Sequence, residues 1–129
     1  MKIIKVSAGG LEKTSLLLRQ SVNSEGVWND CRFIINDNKL EKCDWWFVLH
    51  GTGLAEFENC LCDPDHVVYV SMEPTEKISQ VSDKFLEQFS RVYAPFLRSY
   101  YSKLCFISIA KRSSMVCLVL FSLICLKSL

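Results

Sequence analysis

Residues 66–77, His66 to Lys77, read HVVYVSMEPTEK, and this stretch decides how the chain folds. Val67, Val68, Tyr69 and Val70 are β-branched or aromatic, the types that pack well on a pleated surface. Four such residues without polar alternation predict a strand covered on both faces, as in a parallel sheet. The apolar run then ends in a carboxylate, Glu73, followed at once by Pro74. Proline lacks an N–H and suits the first helical position, so Glu73 falls at or beside a helix N-cap. A buried strand leading straight into a helix is the repeating unit of an α/β fold.

Upstream, the stretch CDWWFVLHG carries five consecutive large apolar residues, Trp45 to Leu49, and predicts a second strand covered on both faces. Lys2 to Ala8, KIIKVSA, predicts a first strand ending at Gly9-Gly10. LEKTSLLLRQ has helical composition, with Leu11 and Leu18 on its apolar face. SVNSEGVWND reads as a loop by its Ser, Asn and Gly content. CRFIIND alternates and breaks at Asn36-Asp37-Asn38, which predicts a strand and a turn. TGLAEFENCLCDPD is loop or short helix, closed by the turn-prone Asp63-Pro64-Asp65. Beyond Thr75, residues Ile78, Val81, Phe85, Phe89 and Val92 recur at spacings of 3, 4, 4 and 3, one stripe of an amphipathic helix. These elements together predict an α/β sheet with helices against its faces.

The 129 residues suffice for one domain with a substantial core. A net charge of +1 gives no reason to expect nucleic acid as a partner, but it conceals an asymmetry. Residues 1–94 hold 10 basic and all 14 acidic groups, net −4, while residues 95–129 hold 5 basic and no acidic ones, net +5. At ordinary Asp and Glu usage, so long an acid-free stretch arises about one or two times in a hundred. The chain is therefore expected to divide into a folded part, 1–94, and an atypical tail, 95–129, that adds little to the core. Within the tail, MVCLVLFSLICL is a run of 12 nearly continuous apolar residues. That is short of the ~18–20 a bilayer span needs, so the run is expected to be a core helix, a short tail that touches membrane, or sequence never selected to fold.

Seven cysteines, with no framework spacing and no signal-peptide pattern at the amino end, predict a reducing, cytoplasmic setting with most thiols buried and free. Cys60, Cys62 and His66 lack the second ligand pair of a structural zinc site, so no metal and no cofactor are expected. Gly9-Gly10 lacks the third glycine of a dinucleotide fingerprint and reads as a turn. His50 and Gly51, at the end of the central strand, would let a polar ligand approach closely, though a tight turn explains them equally. Trp45 and Trp46 are expected in the core. Glu73 has two readings: a carboxylate favoured by the helix dipole, or a general base at a strand end.

Five segments, LLLRQS, VWNDCRFIINDN, KCDWWFVLHG, HVVYVSMEPTEK and FLEQFSRVYA, resemble in this order the N-terminal region of family 10 glycosyltransferases, the α1,3/α1,4-fucosyltransferase type. The family's Asp-aromatic-aromatic-Val strand corresponds to Asp44–Val48, its strand ending in Glu-Pro to Glu73-Pro74, and its Phe-Leu-x-Gln-Phe helix to Phe85–Phe89. The resemblance covers roughly residues 2–94. It implies a Rossmann-like sheet with flanking helices, the N-terminal, acceptor-side half of a GT-B enzyme. It further implies that Glu73 is the catalytic base and that His50 and Gly51 lie on the acceptor side. A glycan acceptor would be the partner, and GDP-fucose only if a donor half were present. After Ala94 the pattern is lost, and the acid-free tail is what a frameshift or early truncation in such a gene would leave. The expected function is therefore that of an N-terminal fragment of a fucosyltransferase-like enzyme, inactive alone. The alternative is a small α/β interaction module whose apolar tail docks on a partner or membrane.

Overall fold

The computed structural model describes residues 1–8, 12–49, 58–71, 81–94 and 104–106. Strand β1 spans Lys2–Ala8, and helix α1 spans Glu12–Leu18. A short hairpin follows, made of β2 (Val27–Trp28) and β3 (Cys31–Ile35). Gly26 turns the chain into it with φ +71, and a Cβ there would meet the Phe33 carbonyl oxygen at 2.7 Å, so only glycine fits. Strands β4 (Trp45–Leu49), β5 (Val67–Val70), β6 (Arg91–Ala94) and β7 (Leu104–Phe106) complete the described elements with helix α2 (Asp83–Leu86). Ser82 caps α2, its side chain accepting from the Phe85 N–H.

The strands form one mixed sheet in the order β2-β3-β1-β4-β5-β6-β7. All neighbours are parallel except the β2–β3 edge pair. The chain thus builds β3 on one side of β1, then crosses to place β4 on the other. Strand order reverses between β1 and β4, whose register pairs Ala8 with Leu49. The next pair, β4 and β5, ends with Leu49 beside Val70. Ser71 extends β5 by donating its N–H to the Tyr93 carbonyl at 2.8 Å.

Side chains alternate between the two faces. One face gathers Ile4, Val6, Ala8, Phe33, Phe47, Leu49, Val68 and Val70, with Leu17 of α1 packed on them. The other gathers Val48, Tyr69 and Val92 against Leu86, Phe89 and the half-buried Phe85. There Tyr69 meets Phe85 edge-on at 5.7 Å and Phe89 at 5.3 Å. Helical segments therefore cover both faces, which is compatible with an α/β class, although helices are sparse among the described residues.

The strands expected at 2–8, 31–35, 45–49 and 67–70 form, and so does the turn at Asn36, whose φ is 55. The amphipathic stripe beyond Thr75 ends sooner than its spacing suggests. Val92 belongs to β6, not to a helix, and pairs with Tyr69 in the sheet. Phe85 and Phe89 remain the face that packs on Tyr69, so the stripe is real but changes element partway. Residues 72–80, which hold Ile78, lie outside the described residues. The sheet also extends past the expected division at Ala94, because Leu104–Phe106 pair in parallel with Val92–Ala94. Trp28 pairs with Cys31 in a stretch read as loop, since two residues are too few to show alternation.

Phe89, 5% exposed, contributes to the cluster on the second face. Phe89→Ala should lower unfolding free energy by about 3–5 kcal/mol. By contrast, Val22→Ser, at a position 64% exposed, should change it by less than about 0.5 kcal/mol. Urea unfolding of the two variants measures the contrast, and equal losses would place the core elsewhere.

Candidate functional site

Open α/β sheets bind ligands outside the carboxyl ends of their strands, at the point where strand order reverses. Here that edge is formed by the ends of β1 at Ala8, β4 at Leu49 and β5 at Val70. His50 directly follows Leu49, and Glu73 comes three positions after Val70, the end of β5. His50, Gly51 and Glu73 themselves lie outside the described residues, as do Gly9 and Gly10.

Beneath this edge lies a buried polar network that sequence reasoning missed. Lys5 and Ser7 alternate with the apolar residues of β1 and are both 0% exposed. The Lys5 Nζ donates to Glu58 Oε2 at 2.9 Å and to the Asp37 carbonyl at 2.9 Å. It also stands 5.0 Å from the Trp46 ring centroid, a cation–π distance. The same Glu58 oxygen accepts from the Ser7 hydroxyl at 2.8 Å, and that hydroxyl accepts from the Trp46 indole N–H at 2.9 Å. Among the described residues, no buried side-chain polar atom lacks a partner. A lysine so enclosed and so fully bonded is a brace, not an acid–base catalyst. It holds the central strands where they approach the carboxyl edge.

Asn36 braces the same end of β1. Its side-chain oxygen accepts from the Ala8 N–H at 2.7 Å, and its amide donates to Thr14 of α1 at 2.9 Å. The left-handed backbone of Asn36, a conformation asparagine tolerates better than most residues, makes this reach possible. The strand end that leads toward Gly9 is therefore fixed to both α1 and β3.

The opposite, amino edge of the sheet holds a groove of about 530 Å³ whose lining includes Lys42, Cys43, Asp44, Trp45, Asp63 and His66. His66 engages two of these groups. The His66 ring stacks on Trp45 at 4.0 Å, and its Nδ1 contacts the Asp44 carbonyl at 2.9 Å. Asp44 accepts from the Ile3 N–H at 2.7 Å. One face of Trp45 is covered by His66, and Trp46 faces Lys5. The tryptophans are thus half-buried supports, close to their expected place in the core.

Cys43, Cys60 and Cys62 come together beside this edge, and all are free thiols, as is the buried Cys31. Cys43 is buried, while Cys60 and Cys62 are half-buried. The Cys60 thiol lies 3.4 Å from the Cys43 sulfur. Burial pushes the Cys43 and Cys60 thiols up to about 11 and raises Cys62 as well. His66 engages Trp45 and the Asp44 carbonyl. Among the described residues, no group of three or more His, Cys, Asp or Glu side chains converges to hold a metal. None of their helices is long and apolar enough to cross a membrane.

Glu58→Ala leaves the Lys5 charge buried without its partner and should cost about 3–5 kcal/mol. A Lys5→Met, Glu58→Gln double variant should lose less than the sum of the singles, since neither orphan charge remains. Additive losses would show that the pair is not coupled. The thiols supply a pH signature. Their folded pKa exceeds the ordinary thiol value of 9.0, so the native state keeps protons that the unfolded chain releases. That stabilisation is complete below pH 9 and is lost as pH rises toward about 11. The loss of Tm between those values should be smaller in Cys43→Ser than in the parent, and equal slopes would refute it.

Compared with protein-family models, with curated proteins and with solved structures, the chain finds no match.

Proposed function

We propose that the chain is the acceptor-side part of a glycosyltransferase of the family 10, fucosyltransferase-like kind, built on a Rossmann-like half of a GT-B architecture. The observation that supports this reading is the in-register ending of parallel β4 and β5, beside the reversal of strand order at β1. His50, Gly51 and Glu73 follow those two strand ends in the chain. This is the edge at which open α/β sheets receive ligands, and it is where the family resemblance puts acceptor and base.

In this reading a glycan hydroxyl is held at the carboxyl edge and Glu73 accepts its proton as the oxygen attacks the sugar carbon of the donor. The nucleoside diphosphate leaves as that carbon–oxygen bond forms. Glu73 suits the role because Pro74 after it favours a helix start, and a helix N-terminus keeps a carboxylate ionised. The donor, GDP-fucose, is bound in that family by the second half. In this reading the acceptor-side half holds the glycan, and transfer needs a donor-binding half as well.

The test pairs the full chain with a donor-binding half from a family member, fused or co-expressed, and measures fucose transfer from GDP-fucose to glycan acceptors. Transfer should appear on pairing. Glu73→Gln should lower it by about 10²–10⁴-fold, the usual contribution of a positioned general base, with donor binding unchanged. Absence of transfer in the paired parent would overturn the reading. Near-full transfer by the Gln variant would reduce Glu73 to a helix cap.

A further inference from the structure

The C-x-C pair and Cys43 serve no part of the proposed transfer, yet the fold brings the three together from separate segments. The cause is an isolated parallel bridge between Lys42 and Leu61. Across it the Cys43 N–H donates to the Leu61 carbonyl at 3.0 Å, and the Leu61 N–H donates to the Glu41 carbonyl at 2.8 Å. Leu61 itself is turned out to solvent, 72% exposed. Alternation therefore turns its neighbours Cys60 and Cys62 inward, toward Cys43. The Cys60 and Cys43 sulfurs are 3.4 Å apart.

We propose that Cys43 and Cys60 form a site of oxidative modification, closing to a disulfide in exchange with a low-molecular-weight disulfide such as oxidised glutathione. Bond formation requires the sulfurs to approach from 3.4 Å to about 2.05 Å. Side-chain rotation covers that distance, and the hydrogen bonds of the bridge already fix both backbones. Cys60 is half-buried and Cys43 only 5% exposed, so Cys60 reacts first. It loses its proton to solvent, and the thiolate attacks one sulfur of the oxidised glutathione. The glutathione S–S bond breaks, one glutathione thiol leaves, and a mixed disulfide remains on Cys60. Cys43, after losing its own proton, attacks the Cys60 sulfur and expels the second glutathione thiol. Two protein thiols are thereby oxidised and one glutathione disulfide is reduced to two thiols.

The closed ring would run from Cys43 through β4 to Cys60 and contain His50 and Gly51. It would also tie down the backbone two residues from Glu58, the partner of Lys5 and Ser7. The raised thiol pKa values make the reaction slow at neutral pH, and its rate should climb about tenfold per pH unit as thiolate appears.

The full chain, reduced and then incubated with oxidised glutathione at pH 8.5 under native conditions, tests this. Non-reducing peptide mapping should find Cys43 joined to Cys60, with a loss of two hydrogen atoms in mass and a higher Tm. Cys43→Ala and Cys60→Ser should each abolish that product, while Cys62→Ser should retain it. The same incubation in urea should scatter the pairing among all seven cysteines. Glutathione adducts alone, a Cys43–Cys62 or Cys60–Cys62 product, or equal Cys43–Cys60 yield in urea would each overturn the proposal. None of these outcomes depends on transferase activity, so they stand apart from the test of the proposed function.

Discussion

The charge of Lys5 governs how the middle of this molecule is assembled. Strand β1 is flanked on both sides by parallel partners, so each of its side chains must find cover on one face or the other. Ile4, Val6 and Ala8 are covered by apolar neighbours, but Lys5 and Ser7 point to the opposite face and cannot be. An ammonium removed from water costs several kcal/mol unless it is paired and its protons are bonded. Glu58, the Asp37 carbonyl and the Trp46 ring together meet that need. All three come from segments beyond the first crossover: the turn after β3, strand β4 and the connection after β4. The turn after β3 and the connection after β4 must therefore both return to β1, and each return carries a strand into its register.

The same requirement explains why the two edges of the sheet differ in character. At the amino edge, His66 stacks on Trp45 and contacts the Asp44 carbonyl, while the Asp44 carboxylate accepts from the Ile3 N–H. At the carboxyl edge the described residues supply rigidity, since Asn36 fixes the end of β1 and the Lys5–Glu58–Ser7 network fixes β1 to β4 through Trp46. A rigid scaffold under a loop-bearing edge is the arrangement in which binding residues on connections are held in place.

Much of this sheet was legible in the sequence, for a definite reason. Trp45–Leu49 and Val67–Val70 are unbroken apolar runs bounded by turn residues, and only strands covered on both faces require such runs. Strand β6 was harder. Val92 continues the 3-and-4 spacing set by Phe85 and Phe89, so a helical period and a strand position coincide there, and tertiary pairing with Tyr69 decides. Strand β7 comes from a stretch without periodicity, and β2 has two residues. Of the candidate site, the strand ends were legible but their brace was not. Nothing local to Lys5 names Glu58 as its partner, because the contact is made only after two crossovers are in place. The thiol cluster was hidden similarly, since C-x-C shows one of its segments and Cys43 belongs to another.

The Lys42–Leu61 bridge links these threads. It is a single rung of parallel pairing, too short to be a strand, and on backbone hydrogen bonds alone it would contribute little, on the order of 1 kcal/mol per bond. Its place matters more than its strength. Glu58 precedes it by three residues, so the rung fixes where the carboxylate can reach, and Lys5 supplies the charge that draws it in. Ion pair and rung constrain the same short segment from its two ends. Loosening either would release the other, because an unbraced Glu58 prefers water to a buried site and a charge-free segment has no reason to lie against β1. Among the described residues, ion pair and rung thus hold this part of the connection after β4 jointly, beside ends of β1 and β4 that their own parallel pairing already fixes.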